Sequence, residues 1–226
     1  MAVNIEAYQQ IKAKLDSKNV CLVAVSKTKP VSDIMDLYQQ GQRHFGENYV
    51  QELVDKQAQL PADIYWHFIG HLQSNKVKYI AGFVHLIHGV DSLNLLKEIN
   101  KQATKHSRVI NVLLQVHIAE EETKFGLNQV ELDEILEYYI ATPSLNLRIR
   151  GLMGMASFST DQEKLRKEFH SLSSMMDSAK KKITSSGLPD QQFDTLSMGM
   201  SSDYEIAIEE GSTMVRIGSL LFGSRS

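Results

Sequence analysis

The sequence predicts an α/β fold, a single (β/α)8 barrel of the TIM type, on three observations. Short β-branched apolar runs alternate with helix-like stretches along the whole chain. Eight strand–helix pairs can be counted, and closing that many parallel strands on themselves removes the sheet edges. No Pro/Gly-rich linker or low-complexity stretch marks a boundary, so residues 1–226 read as one domain, with residues 1–17 as an opening helix. A doubly wound open sheet is the competitor, and the strand count favours the barrel.

The elements follow in order. Val3 to Ser17 reads as the opening helix and Val20 to Ser26 as the first strand. Pro30 precedes a helix from Val31 to Gln40, which Gly41 ends. Arg43 to Gly46 is a short second strand, followed by a helix from Tyr49 to Gln59. Ile64 to Ile69 is the third, with a helix around Ser74 to Ile80. Val84 to His88 is the fourth, with a helix from Leu93 to Lys105. Val109 to Ile118 is the fifth, with a helix from Gln129 to Ile140. Leu147 to Met153 is the sixth, with a long helix from Asp161 to Ser185. Thr195 to Ser197 is a weak seventh, with a helix near Tyr204 to Glu210, and Met214 to Ile217 is the eighth.

Composition excludes several functions. The net charge is −3 with both signs interspersed, so no basic block exists to track a phosphate backbone, and nucleic-acid binding has no electrostatic support. Cys21 is the only cysteine, which rules out an internal disulfide and argues against a thiolate metal cluster. It sits in an apolar run and reads as a small buried hydrophobe. The first residues are polar and helical rather than a secretion signal, and the apolar runs are too short to cross a bilayer. A cytoplasmic protein is expected.

In such barrels the active groups stand at the C-terminal strand ends. Cys21, Val23, Val25 and Lys27 share one face of the first strand, which is apolar until Lys27. If that face is the interior, the ammonium lies at the mouth, partly desolvated and near Lys29. Both effects favour the neutral amine that attacks aldehydes. The plainer reading is a lysine that snorkels into water. The loops after strands seven and eight are small, hydroxyl-rich and glycine-containing, as an anion cradle requires. Ser197 and Ser201 offer hydroxyls there, and Gly218 with Ser219 opens a terminal helix. Ser201, Ser202 and Asp203 also suit a helix cap. Arg216 could donate to a ligand oxygen or a ring nitrogen, or pair with Glu209 or Glu210.

Other residues carry less. His67 and His71 have helical metal-pair spacing but fall on a strand and its loop without a third ligand, so no metal is assigned. Glu120, Glu121 and Glu122 read as a solvated loop. Met153, Met155, Met198 and Met200 either line an apolar wall against a flat ring or fill the core.

Several long strings now point one way. Val23-Ala24-Val25-Ser26-Lys27-Thr28-Lys29-Pro30, Phe45-Gly46-Glu47-Asn48-Tyr49-Val50-Gln51-Glu52 and Trp66-His67-Phe68-Ile69-Gly70-His71-Leu72-Gln73-Ser74-Asn75-Lys76 resemble the YggS/PROSC family of pyridoxal phosphate homeostasis proteins. So do Arg150-Gly151-Leu152-Met153, Leu196-Ser197-Met198-Gly199-Met200-Ser201, and Val215-Arg216-Ile217-Gly218 through Phe222-Gly223. The resemblance runs from about Val20 to the C-terminus; Val116 to Ala119 and Gly154 depart from the family's usual residues.

The resemblance implies a fold like the N-terminal barrel domain of alanine racemase, with pyridoxal 5′-phosphate (PLP) held as a Schiff base on Lys27. It implies Arg216 at the pyridine nitrogen, the Ser197, Ser201, Gly218 and Ser219 loops at the phosphate, Asn48 near the ring hydroxyl and Met153 within the site. An arginine at that nitrogen does not readily protonate it, so the ring is a weaker electron sink. Alanine racemases also use a tyrosine from a second, β-rich domain, which this chain is expected to lack. The implied function is therefore a monomeric, non-catalytic PLP carrier, with transient contacts to apo PLP enzymes. An amino-acid racemase is the second reading, and a PLP-free Schiff-base aldolase on Lys27 the third.

Overall fold

The computed structural model of the protein describes residues 3–119, 125–142, 145–188 and 193–223. The Glu120–Glu122 run lies outside the described residues.

Eight strands close a barrel in chain order: β1 (Cys21–Val25), β2 (His44–Glu47), β3 (Tyr65–Phe68), β4 (Leu86–Val90), β5 (Ile110–Gln115), β6 (Leu147–Met153), β7 (Thr195–Ser197) and β8 (Met214–Ile217). Every neighbouring pair is parallel. The seam joins β1 to β8, with Cys21 beside Met214 and Ala24 beside Ile217. The open sheet is thereby set aside.

The helices sit outside: α1 (Ile5–Asp16), α2 (Val31–Gln39), α3 (Val50–Gln57), α4 (Val77–Ile80), α5 (Leu93–Lys105), α6 (Gln129–Ala141), α7 (Gln162–Ser185), α8 (Tyr204–Glu209) and α9 (Ser219–Phe222). A 3₁₀ turn, Ser74–Lys76, precedes α4. Local chemistry starts several of them. Asn128 and Glu131 form a reciprocal capping box at α6, and Asp161 accepts from the Glu163 and Lys164 amides at α7.

The strands present two different faces. Leu22, Ala24, Phe45, Phe68, Ile87, Val112 and Leu114 are buried with helix residues such as Leu37, Leu53, Ile99 and Phe169 in one continuous apolar layer. Each such side chain contributes about 1.5–3 kcal/mol through burial. Inside the barrel the apolar cluster is small, with Val23, Leu86, Leu113, Met153 and Met214 at its centre and Cys21 packed against it. The other inward positions described below are polar.

The structure moves several sequence-predicted boundaries. β5 stops at Gln115 rather than Ile118, because Val116 leaves the ladder to make an isolated bridge with Leu127. β4 begins two residues later than the sequence predicts, at Leu86. β6 shifts register opposite Val112 and Leu113. Gly151 makes that possible: its φ is +149°, and a Cβ there would stand 1.9 Å from the Thr195 carbonyl oxygen.

Candidate functional site

A cavity of about 450 Å3 opens at the C-terminal mouth of the barrel, a size typical of small-molecule pockets. Lys27, Asn48, Ser201, Arg216, Gly218 and Ser219 all line it. The amine predicted at one end and the hydroxyl and glycine loops predicted at the other therefore share one space.

The Lys27 end is set by the turn after β1. Thr28 has φ +63°, and its amide donates to Glu52 Oε1 at 2.6 Å. A buried ion cluster outside the barrel holds that turn. Lys56 Nζ donates to the Ser26 carbonyl at 2.7 Å, to Glu47 Oε1 at 2.8 Å and to Glu52 Oε1 at 2.7 Å. Ser26 Oγ also donates to Glu47 at 2.6 Å. Burial pushes the Glu47 carboxyl above its ordinary value, and the Lys56 charge opposes that shift.

The opposite end is built from the loops after β7 and β8. Gly199 has φ +94°, and a Cβ there would lie 2.6 Å from that of Ala207. Ser201 Oγ accepts from the Gly218 amide at 3.3 Å, joining the two loops. Asp203 is the α8 N-cap residue but caps no helix amide with its side chain; it accepts instead from the Met200 amide at 2.6 Å and so shapes the loop. Lys29 Nζ donates to the Phe222 carbonyl at 2.8 Å, tying the Lys27 turn to the end of α9.

Arg216 stands between the two ends. It is 4 % exposed, and Glu209 and Glu210 are not its partners, since Arg166 pairs with both. Its Nη1 donates to the Ser197 carbonyl at 2.9 Å and to Ser197 Oγ at 2.6 Å, and its Nη2 to the Gly154 carbonyl at 3.1 Å. Burial lowers its pKa to about 10. Three of the five N–H groups of a guanidinium are thus engaged by neutral acceptors.

A chain of imidazoles continues from Ser197 through the barrel interior. His88 Nδ1 lies 3.1 Å from Ser197 Oγ, and His88 Nε2 lies 2.9 Å from His67 Nδ1. His67 Nε2 lies 2.9 Å from His44 Nδ1. Burial drives His67 and His88 well below the ordinary histidine range and His44 to about 4.

Two predicted residues do not line the cavity. Met153 is buried in the interior cluster, and Ser197 is fully buried as the anchor of Arg216. The methionines divide: Met155 and Met200 line the cavity, whereas Met198 fills the core. His71 is no companion of His67; it lies at the mouth, 3.1 Å from Asp91 and stacked on Phe125. The sequence reading gave Ser202 only a helix-capping role and gave none to Phe158 or His88; Phe158 and Ser202 both line the cavity. In sequence, Phe158 sits in an unpatterned loop, and His88 is one polar residue in an apolar strand.

Comparison with known proteins decides the family. Residues 5–226 match the family described as alanine racemase, N-terminal domain. The pyridoxal phosphate homeostasis protein of Aquifex aeolicus is 44% identical over 205 residues, covering 90% of this chain and 86% of its own. That of Escherichia coli is 41% identical over 214 residues, 92% of this chain and 87% of its own. The chain belongs to the pyridoxal phosphate homeostasis family. PipY of Synechococcus elongatus, solved with PLP bound, is 34% identical, with a TM-score of 0.84 over 96% of this chain and 99% of its own. Alanine racemase from Bartonella henselae, at 17% identity, shares the fold, with a TM-score of 0.67 over 97% of this chain and 59% of its own. Like others in the family, this chain carries a racemase-type barrel; no helix among its described residues is long and apolar enough to cross a membrane.

Proposed function

We propose that this chain binds pyridoxal 5′-phosphate at the C-terminal mouth, covalently through Lys27, and serves in PLP homeostasis as a carrier without turnover. The observation that carries the reading is the single cavity with an amine at one end and paired serine–glycine loops at the other. The residues fit the group in three further respects. Asn48 Oδ1 is buried with no hydrogen-bond partner among the described residues, so it suits a ring hydroxyl. Gly218 lies so close to β1 that an added Cβ would stand 3.2 Å from the Val25 carbonyl oxygen, which keeps that side of the cradle open. Arg216 keeps N–H groups that no hydrogen bond among the described residues engages, and these suit a ring nitrogen.

When bound, PLP supplies an aldehyde that reacts with amines and a ring that withdraws electrons. Lys27 holds the aldehyde carbon. Ser201, Gly218 and Ser219 hold the phosphate, with Lys29 adding positive charge beside them. Arg216 donates to the ring nitrogen and keeps it unprotonated, which limits carbanion chemistry. Ser197 acts at one remove, by fixing Arg216. Among the described residues no tyrosine lines the cavity, and this supports a carrier over a racemase, which needs a proton donor on each face of its substrate. The family's printed name supports the same reading.

The test is the visible absorption of purified protein before and after borohydride. The wild type is expected to carry a chromophore that borohydride fixes, and Lys27→Ala to lose it. An unchanged spectrum in Lys27→Ala overturns the lysine assignment. Inversion or α-deuterium loss of any amino acid across a broad panel overturns the carrier in favour of a racemase. A colourless protein without bound phosphate returns the case to an aldolase.

A further inference from the structure

The far mouth of the barrel holds a second cluster. His44 on β2, His67 on β3 and His85 immediately before β4 each offer a ring nitrogen, and these three atoms lie within 4.8 Å of one another. We infer that His44, His67 and His85 form a binding site for one late first-row divalent cation, zinc being the best fit.

Four observations support it. Imidazole is the ligand type that zinc, copper and nickel prefer. Three protein nitrogens with an open fourth position make a known zinc arrangement, with Zn–N near 2.0–2.1 Å. Ligands at that distance stand about 3.4 Å apart, so the ion must only draw the outer nitrogens inward and spread the His44–His67 pair slightly from 2.9 Å. Finally, His67 is already oriented. Its Nδ1 is tied to His88 Nε2 at 2.9 Å, which leaves Nε2 facing His44 and His85. A second-shell bond of this kind is what fixes the ring of a metal-ligating histidine.

Access and charge are consistent with a site of moderate affinity. His67 is fully buried, but His44 and His85 are only partly covered and open the site to solvent. The charged groups acting on the cluster are Lys12, Arg108 and Arg150. Arg150 is paired with Asp194 at 3.3 Å, and Arg108 gives its guanidinium to the Ala81 and Val84 carbonyls. These cations weaken binding by repelling the ion.

Ligation balances without loss of a proton. His67 binds through Nε2 and keeps its proton on Nδ1, which donates to His88. His44 binds through Nδ1, and the proton that this nitrogen now shares with His67 Nε2 moves to His44 Nε2 as the ion takes its place.

The experiment uses the full chain stripped by chelator and titrated with zinc chloride in a calorimeter, then with cobalt chloride in a spectrophotometer. One zinc per chain is expected, with visible ligand-field bands from cobalt. His44→Ala and His85→Ala should each weaken zinc by more than about 100-fold, beyond the 10–100-fold that second-shell partners contribute. His71→Ala, at the opposite mouth, should bind like the wild type. Circular dichroism checks that each variant folds, and His44→Gln and His85→Asn replace any that does not. Absence of stoichiometric zinc and of cobalt bands in the wild type overturns the site. Undiminished binding in both the His44 and His85 variants overturns it as well.

Discussion

Two buried polar networks flank the first strands of the barrel, and they meet the same difficulty in opposite ways. Outside, Lys56, Glu47 and Glu52 meet as formal charges beneath the Lys27 turn. Inside, His44, His67 and His88 reach Arg216 through Ser197 as uncharged rings. A buried charge is tolerable only while its counter-charge stays, so the outer network is rigid and intolerant of truncation. Neutral rings avoid most of that desolvation, but their neutrality holds only while protons are scarce. One network fixes the backbone that presents the amine, and the other fixes the guanidinium.

Breaking the outer network should give the largest effect. Lys56→Met strands the Glu47 carboxylate, which is fully buried. A loss of about 3–5 kcal/mol is expected in urea denaturation at neutral pH, as for other broken buried pairs. Adding Glu47→Gln should recover part of it. A loss no larger than that of an exposed lysine variant would show that the pair is not desolvated.

The inner network should break more gently. His88→Leu leaves His67 Nδ1 without its partner, at about 1–3 kcal/mol, while Ser197 Oγ keeps only the bond from Arg216. Because Ser197 then holds Arg216 less firmly, the bound chromophore should shift as well. Stability loss with an unmoved spectrum would separate the imidazole chain from the cofactor pocket.

Acid sharpens the comparison further. His67 and His88 stay unprotonated in the folded chain far below the ordinary value of 6.5, and His44 does so down to about 4. The unfolded chain takes up these protons near 6.5. Their contribution is therefore whole above that pH and is lost as pH falls through the acid range, by about 1.4 kcal/mol per pH unit per ring. Glu47 acts in the opposite sense: its raised pKa makes the ionised form a burden that is relieved as pH falls. Denaturation curves between about pH 7 and 5 should show the histidine slope in the wild type and a flatter one in His88→Leu. Equal slopes would refute the assignment of that slope to the buried rings.

Much of this architecture was readable before any coordinates. Thr195–Ser197 and Met214–Ile217 are observed with the bounds the pattern gives, and Pro30 and Gly41 bracket α2 as their chemistry requires. Lys27, Arg216 and the glycine loops share a mouth because strand ends in a parallel barrel must. The inner histidines were not readable as a chain. An alternating strand such as β2, with His44 and Gly46 opposite Phe45, looks like one with its polar side toward water. In a closed barrel that side turns inward. Which rings then touch depends on the stagger between β2, β3 and β4, which no single segment encodes. Met153 faces the interior as its strand position implies, but it lies one layer below the cavity, under Met155, in the cluster with Val23, Leu86, Leu113 and Met214.

The cavity also straddles the place where the ring of strands is joined. Its amine follows the first strand, its cradle follows the last two, and the contact from Lys29 to Phe222 spans 193 residues. A growing chain has made the hook long before it has made the purse. Partial barrels, trapped intermediates and C-terminal truncations thus lack one end of the cavity, and with the cofactor on Lys27 as proposed, colour in a preparation would report molecules that have finished folding.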